Sequence, residues 1–296
     1  MGDFAYVGGI ARSLDRGQQM NLHKAQIFLG TALNLLSSSD EEVEHVNISV
    51  GLPIDFYKEQ NSRLSKTLTG LRIETEVHSK TKVFVIDRVA VYQQGVGAFV
   101  SLFLNPDGTP KDNKTADMDL YKFGGGIIDI GYNTSDYARI VVNSGMRVLA
   151  DDLSGSLEGY GAAYVYENVA DMINRDFKHD ASPVDYENIL KHQKGILYLK
   201  GNQIDITSYF EKGYQMLANK ISSKISREIW LDTTDFASIY LTGGTASRII
   251  NYMDINGTKI NLQEDSIYAN CRGYMARTRA EMNKLSAKSN KEAVMK

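Results

Sequence analysis

The sequence predicts a mixed α/β protein. Segments in which apolar and polar residues alternate, as in strands, are interleaved with segments whose apolar residues recur every three or four positions, as in helices. Two neighbouring strand-like segments joined by a short polar turn add an antiparallel pair to this order. The chain has 296 residues, of which 43% are hydrophobic and 23% are charged. This length and composition suffice to bury the core of one large domain or of two modest ones.

The first third of the chain begins with a clear helical pattern. An amphipathic helix is predicted over 22–36, with Asn21 as its cap. The segment VNISVGLP, residues 46–53, alternates like a strand and ends in Gly and Pro. A helix is predicted over 55–68, and the β-rich stretch 69–91 is predicted to form two or three strands.

The remaining two thirds continue the alternation of strands and helices. An apolar run predicts a helix over 95–104, and the polar stretch 105–119 predicts a surface loop. The segments 124–130 and 135–143 are predicted to be two strands joined by a tight polar turn. Further helices are predicted over 159–175, 184–192, 206–228, 245–253 and 265–285, with a hairpin over 196–206 and a strand over 237–244 between them.

Charge and cysteine content exclude several classes of protein. The net charge is -3, so no basic surface is predicted and direct binding to nucleic acid is not expected. The single cysteine, Cys271, excludes an internal disulfide framework and fits a reducing compartment. The longest apolar stretch, 96–104, is too short to cross a bilayer, and the first residues lack the features of a secretory signal. The sequence therefore predicts a cytoplasmic protein that makes no membrane contact.

The segment GGGIIDIGYNTSDYARI, residues 124–140, carries the most chemical information. Asp129 stands at the end of an apolar strand, Gly131 allows backbone N–H groups to approach a ligand, and Thr134 adds a hydroxyl group. Such a turn can hold a phosphate in a ring of N–H groups, and a carboxylate at its root can hold Mg²⁺ through water. The alternative for this segment alone is a β-hairpin with a polar turn.

A second glycine turn lies in SIYLTGGTASRI, residues 238–249. Gly243 and Gly244 separate an apolar strand from a helix predicted to begin near Thr245. The start of a helix behind two glycines can accept an anion or the edge of a sugar phosphate. The alternative is an ordinary connection between a strand and a helix.

These motifs occur together with others in a recognisable order: VGLP before a helix, QQGVGA, DIGYNTSD, GYG at a helix start, LTGGT and ANCRGY. The set resembles the superfamily of actin, heat-shock chaperone and sugar-kinase ATPases. The phrases VGLPIDFYKEQNSRL, YQQGVGAF, IIDIGYNTSDY and YANCRGYMAR are most similar to the ParM-type plasmid-segregation actins and their archaeal relatives. The resemblance extends over residues 6–279.

The resemblance implies a two-domain actin-like ATPase fold, with mixed sheets flanked by helices and a nucleotide cleft between the domains. The first domain would comprise residues 1–94 and 266–296, and the second would comprise residues 95–265. The implied cofactors are ATP or GTP together with Mg²⁺.

Carried over position by position, the resemblance also assigns roles to single residues. Asp129 would hold Mg²⁺ through water, and Gln94 would orient the attacking water, with Gln93 as its rival. Asp136 matches a recurrent acidic position after the loop, and Gly273 matches a site of close helix packing. The residues that would contact the nucleotide are Gly131 and Thr134 at the phosphates, Glu158, Gly159 and Gly161 at the ribose or base, and Gly243, Gly244 and Thr245 at the adenosine.

One motif of the superfamily is not found. Its members begin with a strand and a turn of the form D-x-G-x-x-x-x-K, the first phosphate loop, and only MGDFA precedes YVGGIARS here. The sequence shown could start late, the protein could be a natural truncation, or the resemblance could fail in this region. If residues 1–296 are the complete chain, weak or absent ATPase activity is expected.

The implied function is polymerisation into head-to-tail filaments that segregate plasmid or other DNA. The implied partner is a small DNA-binding adaptor protein at a centromere-like plasmid site. Two alternatives stay open: a structural or regulatory actin-like protein that does not hydrolyse nucleotide, and a phosphotransferase similar to sugar or acetate kinases.

Overall fold

The computed structural model describes residues 22–112, 117–143 and 146–294. Contacts divide the chain into two compact units, one of Met1–Ile48 and Ser62–Ala90 and one of Ser49–Asn61 and Val91–Lys296. The domain boundaries implied by the resemblance stay a prediction. Asn21 and the segment YVGGIARS lie outside the described residues.

The first unit contains a three-stranded sheet and the helix that packs on it. Its elements begin with α1 (Leu22–Leu36), β1 (Val43–Leu52) and α2 (Ile54–Leu68), followed by β2 (Arg72–Val77) and β3 (Lys80–Gln93). The strand order is β1-β3-β2, with β2 and β3 antiparallel. Along the chain, β1 and β3 run from the first unit into the second, whereas α2 runs from the second unit into the first.

Helix α1 lies close to β2 because Gly30 has no side chain. A Cβ atom on Gly30 would lie only 2.7 Å from Cγ2 of Ile73. The amide of Asn34 secures the same contact by donating to the carbonyl oxygens of Thr75 and Lys80, at 3.3 and 2.9 Å. The predicted helix over 22–36 is confirmed, and 69–91 holds two strands.

The second unit holds the larger sheet. Its elements are α3 (Val96–Ser101), α4 (Met118–Phe123), β4 (Gly125–Ile130), β5 (Thr134–Asn143), β6 (Met146–Leu149), β7 (Gly155–Glu158), α5 (Ala162–Phe177), α6 (Pro183–His192), β8 (Ile196–Leu199), β9 (Asn202–Asp205), α7 (Thr207–Lys224), β10 (Ile239–Thr242), α8 (Ala246–Ile249), β11 (Ile260–Leu262) and α9 (Ala269–Val294).

The sheet of the second unit is mixed. Its strand order is β11-β10-β4-β5-β6, and β7 also pairs with β5. Strand β10 is parallel to both β11 and β4, whereas β4 and β5 are antiparallel. Strands β8 and β9 form the separate hairpin that the sequence predicts over 196–206. The predicted mixed α/β class is therefore confirmed.

The core of the second unit forms where α5 and α7 pack against each other and against the sheet. Both helices bury one apolar stripe, and Gly213 of α7 leaves room for Val165 and Val169 of α5. Trp230 is fully buried in this core. Its indole N–H donates to the carbonyl oxygen of Leu153 at 2.9 Å.

Several elements differ from the sequence prediction in extent. The helix predicted over 95–104 ends at Ser101, and the one predicted over 245–253 is a short α-helix, α8, followed by a single 3-10 turn (Ile250–Tyr252). The predicted loop 105–119 runs into α4, which Asp117 caps by accepting the backbone N–H of Leu120. Within the described residues, no helix is both long and apolar enough to span a membrane.

Candidate functional site

Two glycine-containing turns meet at one edge of the larger sheet. Strands β4 and β10 are parallel neighbours, so their carboxyl ends lie side by side. Asp129 near the end of β4 is the register partner of Thr242 at the end of β10. The predicted phosphate turn, which follows Asp129, and the predicted adenosine turn, which follows Thr242, therefore start next to each other.

Gly243 provides the close contact between these turns. Its φ of +89° is in the left-handed region, and a Cβ atom there would lie 2.5 Å from Oδ1 of Asp129. Its backbone N–H donates to the carbonyl oxygen of Ser266 at 3.0 Å, and the same oxygen accepts the hydroxyl of Thr242 at 2.8 Å. Gly244 faces open space, with no atom within 4 Å of a Cβ built there.

The turn after β4 is stabilised by a hydrogen bond within the turn and by hydrogen bonds from the first residues of α5. The N–H of Gly131 donates to the carbonyl oxygen of Thr134 at 2.8 Å, which closes the turn. The N–H groups of Ala162 and Ala163 then donate to the carbonyl oxygens of Gly131 and Tyr132, at 3.1 and 2.8 Å. The turn and the first residues of α5 thus form one connected backbone segment.

The predicted ribose or base residues lie beside the same turn. Glu158 is the register partner of Thr134, and the N–H of Gly159 donates to the carbonyl oxygen of Asn133 at 3.0 Å. A Cβ atom on Gly161 would lie 2.3 Å from the carbonyl oxygen of Tyr132, so this approach requires glycine. The structure therefore brings the predicted phosphate, sugar and adenosine residues to one sheet edge.

Asn270 joins Asp129 to the turn that contains Gln94. The side-chain amide of Asn270 donates to Oδ2 of Asp129 at 2.7 Å. Its carbonyl oxygen accepts the backbone N–H groups of Gly95 and Ala98, both at 3.0 Å. Gln94 immediately precedes Gly95, is half-buried, and donates its own N–H to the carbonyl oxygen of Leu52 at 2.8 Å.

The surroundings of the half-buried Asp129 disfavour ionisation of its carboxyl group. Burial, together with the negative charge of Asp136 directly across the β4–β5 pair, raises the pKa of Asp129 to about 7. The hydrogen bond from Asn270 acts in the opposite direction. Asp136 is itself buried and accepts the hydroxyl of Ser156. A cation near Asp129 would relieve this repulsion.

Lys220 is a residue at this edge that sequence reasoning missed. Its ammonium donates to the carbonyl oxygen of Gly159 at 2.9 Å and lies over the rings of Tyr160 and Tyr164, at 4.3 and 4.0 Å. Burial lowers its pKa. Nothing in the sequence places α7 beside GYG, because the contact joins positions far apart along the chain.

Close helix packing at ANCRGY is confirmed. A Cβ atom on Gly273 would lie 1.7 Å from the carbonyl oxygen of Gly97, and one on Gly97 would lie 2.3 Å from the ring of Tyr274. Helices α3 and α9 therefore cross with backbone against backbone. Asn270 belongs to the same motif, but sequence reasoning assigned it no role.

No group of three or more His, Cys, Asp or Glu side chains in the described part of the chain could hold a metal ion by itself. Asp129 nevertheless offers a carboxylate at the sheet edge, between the turn after β4 and the turn of Gly243 and Gly244. This donor set fits Mg²⁺, which is commonly held by one or two carboxylates, water and the substrate's phosphates.

Comparison with known families matches two parts of the chain to models of actin-like proteins. Residues 2–97 match the family model described as the N-terminal domain of actin-like proteins, and residues 127–254 match the model described as archaeal actin homologue MreB-like, C-terminal. The chain belongs to the actin-like proteins. Among curated proteins, the search finds no match.

Solved structures share the fold of this actin-like protein. The pCBH ParM non-polymerisable quadruple mutant is 21% identical, with 92% of this chain and 78% of that chain covered and a TM-score of 0.71. A 15-stranded ParM filament from Clostridium botulinum is 21% identical, with coverage of 88% and 74% and a TM-score of 0.68. The archaeal actin homolog Ta0583 is 20% identical, with coverage of 88% and 76% and a TM-score of 0.66.

Nucleotide appears in the names of two further structures with the same fold. Ta0583 has been solved in complex with ADP, at 19% identity and a TM-score of 0.65. Bacillus thuringiensis ParM has been solved with ATP, at 16% identity and a TM-score of 0.62. The two-domain actin-like fold expected from the sequence is thereby confirmed. The roles assigned to single residues stay predictions.

Proposed function

We propose that this actin-like protein binds ATP or GTP with Mg²⁺ and polymerises into filaments that segregate plasmid or other DNA in the cytoplasm. One observation carries the proposal: the parallel β4–β10 pair brings Asp129 and the turn of Gly243 and Gly244 to the same sheet edge. A carboxylate can hold Mg²⁺, and glycine turns beside it can bring backbone N–H groups close to phosphates. The relatives solved with ADP and with ATP support the nucleotide.

Each residue has a defined role in this proposal. Asp129 holds Mg²⁺ through water, and Gly131 and Thr134 face the β- and γ-phosphates. Glu158, Gly159 and Gly161 border the ribose or base, and Gly243, Gly244 and Thr245 border the adenosine. The ion would neutralise charge on the phosphates, which is its main contribution to phosphoryl transfer.

Gln94 orients the attacking water in the proposed reaction. A neutral amide cannot act as a strong base, but positioning supplies much of the catalysis of phosphoryl transfer. The connection from Gln94 through Gly95 to Asn270 and Asp129 supports this role, since it ties the turn of Gln94 to the proposed metal carboxylate.

Nucleotide binding is tested with a variant of Asp129 and a charge-matched control. Asp129→Asn should weaken the binding of Mg²⁺-ATP by about tenfold or more, because a hydrogen-bonded ionic contact is lost. Asp171→Asn removes the same charge from an exposed position on α5 and should bind like the parent. Equal affinity of Asp129→Asn and the parent would remove the proposed site.

Polymerisation is tested by light scattering and electron microscopy. The proposal expects scattering that rises on addition of Mg²⁺-ATP or Mg²⁺-GTP, and filaments in the same samples. Scattering that does not depend on nucleotide would favour the structural or regulatory alternative. Phosphorylation of a small acceptor without filaments would favour the phosphotransferase.

We propose that the protein reaches DNA through an adaptor protein and does not bind DNA itself. The net charge of -3 supports this division, because nucleic-acid binding is dominated by contacts of basic residues with phosphates. The purified chain should not shift plasmid DNA in a gel at physiological salt, even when it is polymerised. A direct, salt-sensitive shift would contradict the adaptor proposal and leave the nucleotide site untouched.

A further inference from the structure

Asn270 contacts two parts of the candidate site with the two ends of one amide group. Its N–H₂ end donates to Oδ2 of Asp129 at 2.7 Å, and its oxygen accepts the N–H groups of Gly95 and Ala98 at 3.0 Å each. These partners fix the orientation of the amide. A flipped amide would place its oxygen against the carboxylate and its N–H₂ against two donors.

The amide oxygen of Asn270 caps the start of a helix. The first N–H groups of a helix have no partners within it. From a different helix, α9, Asn270 supplies an acceptor for the N–H of Ala98 in the first turn of α3 and for that of its N-cap residue, Gly95. Capping of this kind needs only the oxygen atom. The hydrogen bond to Asp129 is additional, and capping does not explain it.

The nitrogen end restricts the carboxylate of Asp129. Gly243 lies against Oδ1 on one side, and Asn270 binds Oδ2 on the other. The carboxylate is therefore held between the turn after β10 and helix α9, and its direction at the sheet edge is determined before any ligand arrives. A group that is already held in place does not have to be ordered when the ligand binds, which lowers the cost of binding.

We infer that Asn270 is a positioning residue, which sets the direction of the Asp129 carboxylate and ties it to the segment that carries Gln94. This inference rests on the proposed nucleotide-binding function, and Asn270 itself is not assigned a contact with nucleotide. When the carboxylate moves, the turn after β3 should move with it, because both depend on one side chain.

The first test is a double-mutant cycle on Mg²⁺-ATP affinity. Asn270→Ala should weaken binding by about tenfold or more, since a hydrogen bond to a charged group is lost. In the Asp129→Asn background, Asn270→Ala should cause no further loss, because Asn270 acts through Asp129. Parent-like affinity of Asn270→Ala, or losses that multiply in the double variant, would overturn the inference.

The second test needs no nucleotide and keeps the inference testable if Asn270→Ala fails to fold. Asn270→Asp keeps an acceptor for Gly95 and Ala98 but sets two carboxylates against each other, so its melting temperature should fall below that of the parent. The double variant Asn270→Asp with Asp129→Asn again has one amide donor and one carboxylate acceptor, with the two groups exchanged between the positions. Its melting temperature should therefore recover. A combined variant no more stable than Asn270→Asp alone would refute the pairing.

The two experiments separate this inference from the proposed function. If the parent binds no nucleotide, or if Asp129→Asn binds Mg²⁺-ATP as well as the parent does, the proposed function fails and the positioning role fails with it. If Asp129→Asn loses affinity while Asn270→Ala does not, only the inference about Asn270 fails. Cys271→Ala, at the exposed neighbouring position on α9, is the control and should match the parent in both tests.

Discussion

Gly243 stands so close to Asp129 that a Cβ atom on it would lie 2.5 Å from the carboxylate oxygen Oδ1. The same glycine has a φ of +89°, which L-residues with a side chain rarely adopt. Two independent reasons, steric and conformational, thus require glycine at this point. Its neighbour Gly244 satisfies neither requirement, since a Cβ there would meet nothing within 4 Å.

This difference predicts opposite outcomes for two adjacent substitutions. Gly243→Ala should lower the free energy of unfolding by about 2–4 kcal/mol, since it adds both backbone strain and a steric clash. Gly244→Ala should change it by less than about 1 kcal/mol. Urea unfolding followed by circular dichroism measures both. Similar losses in the two variants would contradict the open space beside Gly244.

The crossing of α3 and α9 yields a second prediction. Gly273→Ala would place a Cβ atom 1.7 Å from the carbonyl oxygen of Gly97, so the two helices must separate. Overpacking at such a buried contact should cost about 3 kcal/mol of unfolding free energy. Cys271→Ala changes an exposed position on the same helix and should stay within about 0.5 kcal/mol. Thermal unfolding of the two variants compares them, and equal melting temperatures would contradict the close crossing.

Local sequence patterns predicted the parts of this fold that depend on local chemistry. The bounds of α1, the hairpin of β8 and β9, and the strands on either side of Gly131 all follow from periodicity and turn residues. Strands β6, β7 and β11 were not predicted, because each is a short segment stabilised by pairing with a distant partner. Such pairing is decided by tertiary structure rather than by the segment's own preference.

The residues of the candidate site likewise differ in whether the sequence predicts them. Asp129, Gly131 and Gly243 stand out because glycine turns after apolar strands are visible in a sequence. Asn270 and Lys220 do not, because each acts through a contact that crosses from one helix to a remote turn. No periodicity or spacing along the chain indicates which turn a polar residue on a helix will contact.

The raised pKa of Asp129 predicts a specific pH dependence of stability. Aspartate in an unfolded chain has its ordinary pKa of 3.8, whereas burial and the charge of Asp136 raise the pKa of Asp129 in the folded protein to about 7. Between these values the folded state binds more protons than the unfolded state, so stability falls as pH rises. The contribution is fully present below about pH 4 and is lost above about pH 7, with a slope of at most about 1.4 kcal/mol per pH unit.

Asp129→Asn isolates this contribution because its side chain does not titrate. In Mg²⁺-free and nucleotide-free buffer, the variant should gain stability relative to the parent as the pH is raised from about 4.5 to about 7.5. The neighbouring phenol of Tyr274 does not interfere, since burial raises its pKa still further above this window. Urea unfolding at several pH values gives the two curves. Parallel curves would mean that Asp129 ionises normally in the folded protein.

Trp230 provides a fluorescence test of the second unit. It is the only tryptophan, its side chain is 1% exposed, and it packs against Phe236 with ring centroids 5.2 Å apart. Its emission should therefore lie at the short wavelengths of an apolar environment and shift to longer wavelengths on unfolding. Because Trp230 belongs to the core and not to the nucleotide edge, saturating Mg²⁺-ATP should leave the emission of the folded protein almost unchanged.

Two variants complete this test of Trp230. Trp230→Phe should abolish the signal and lower the free energy of unfolding by about 2–3 kcal/mol, because it leaves a cavity and removes the indole donor to Leu153. Gly126→Ala would place a Cβ atom 2.7 Å from the indole ring and should displace it, with a red-shifted emission in the folded state. Strong quenching of the parent by nucleotide would instead indicate that the indole stacks on the base, which is the reading that its burial argues against.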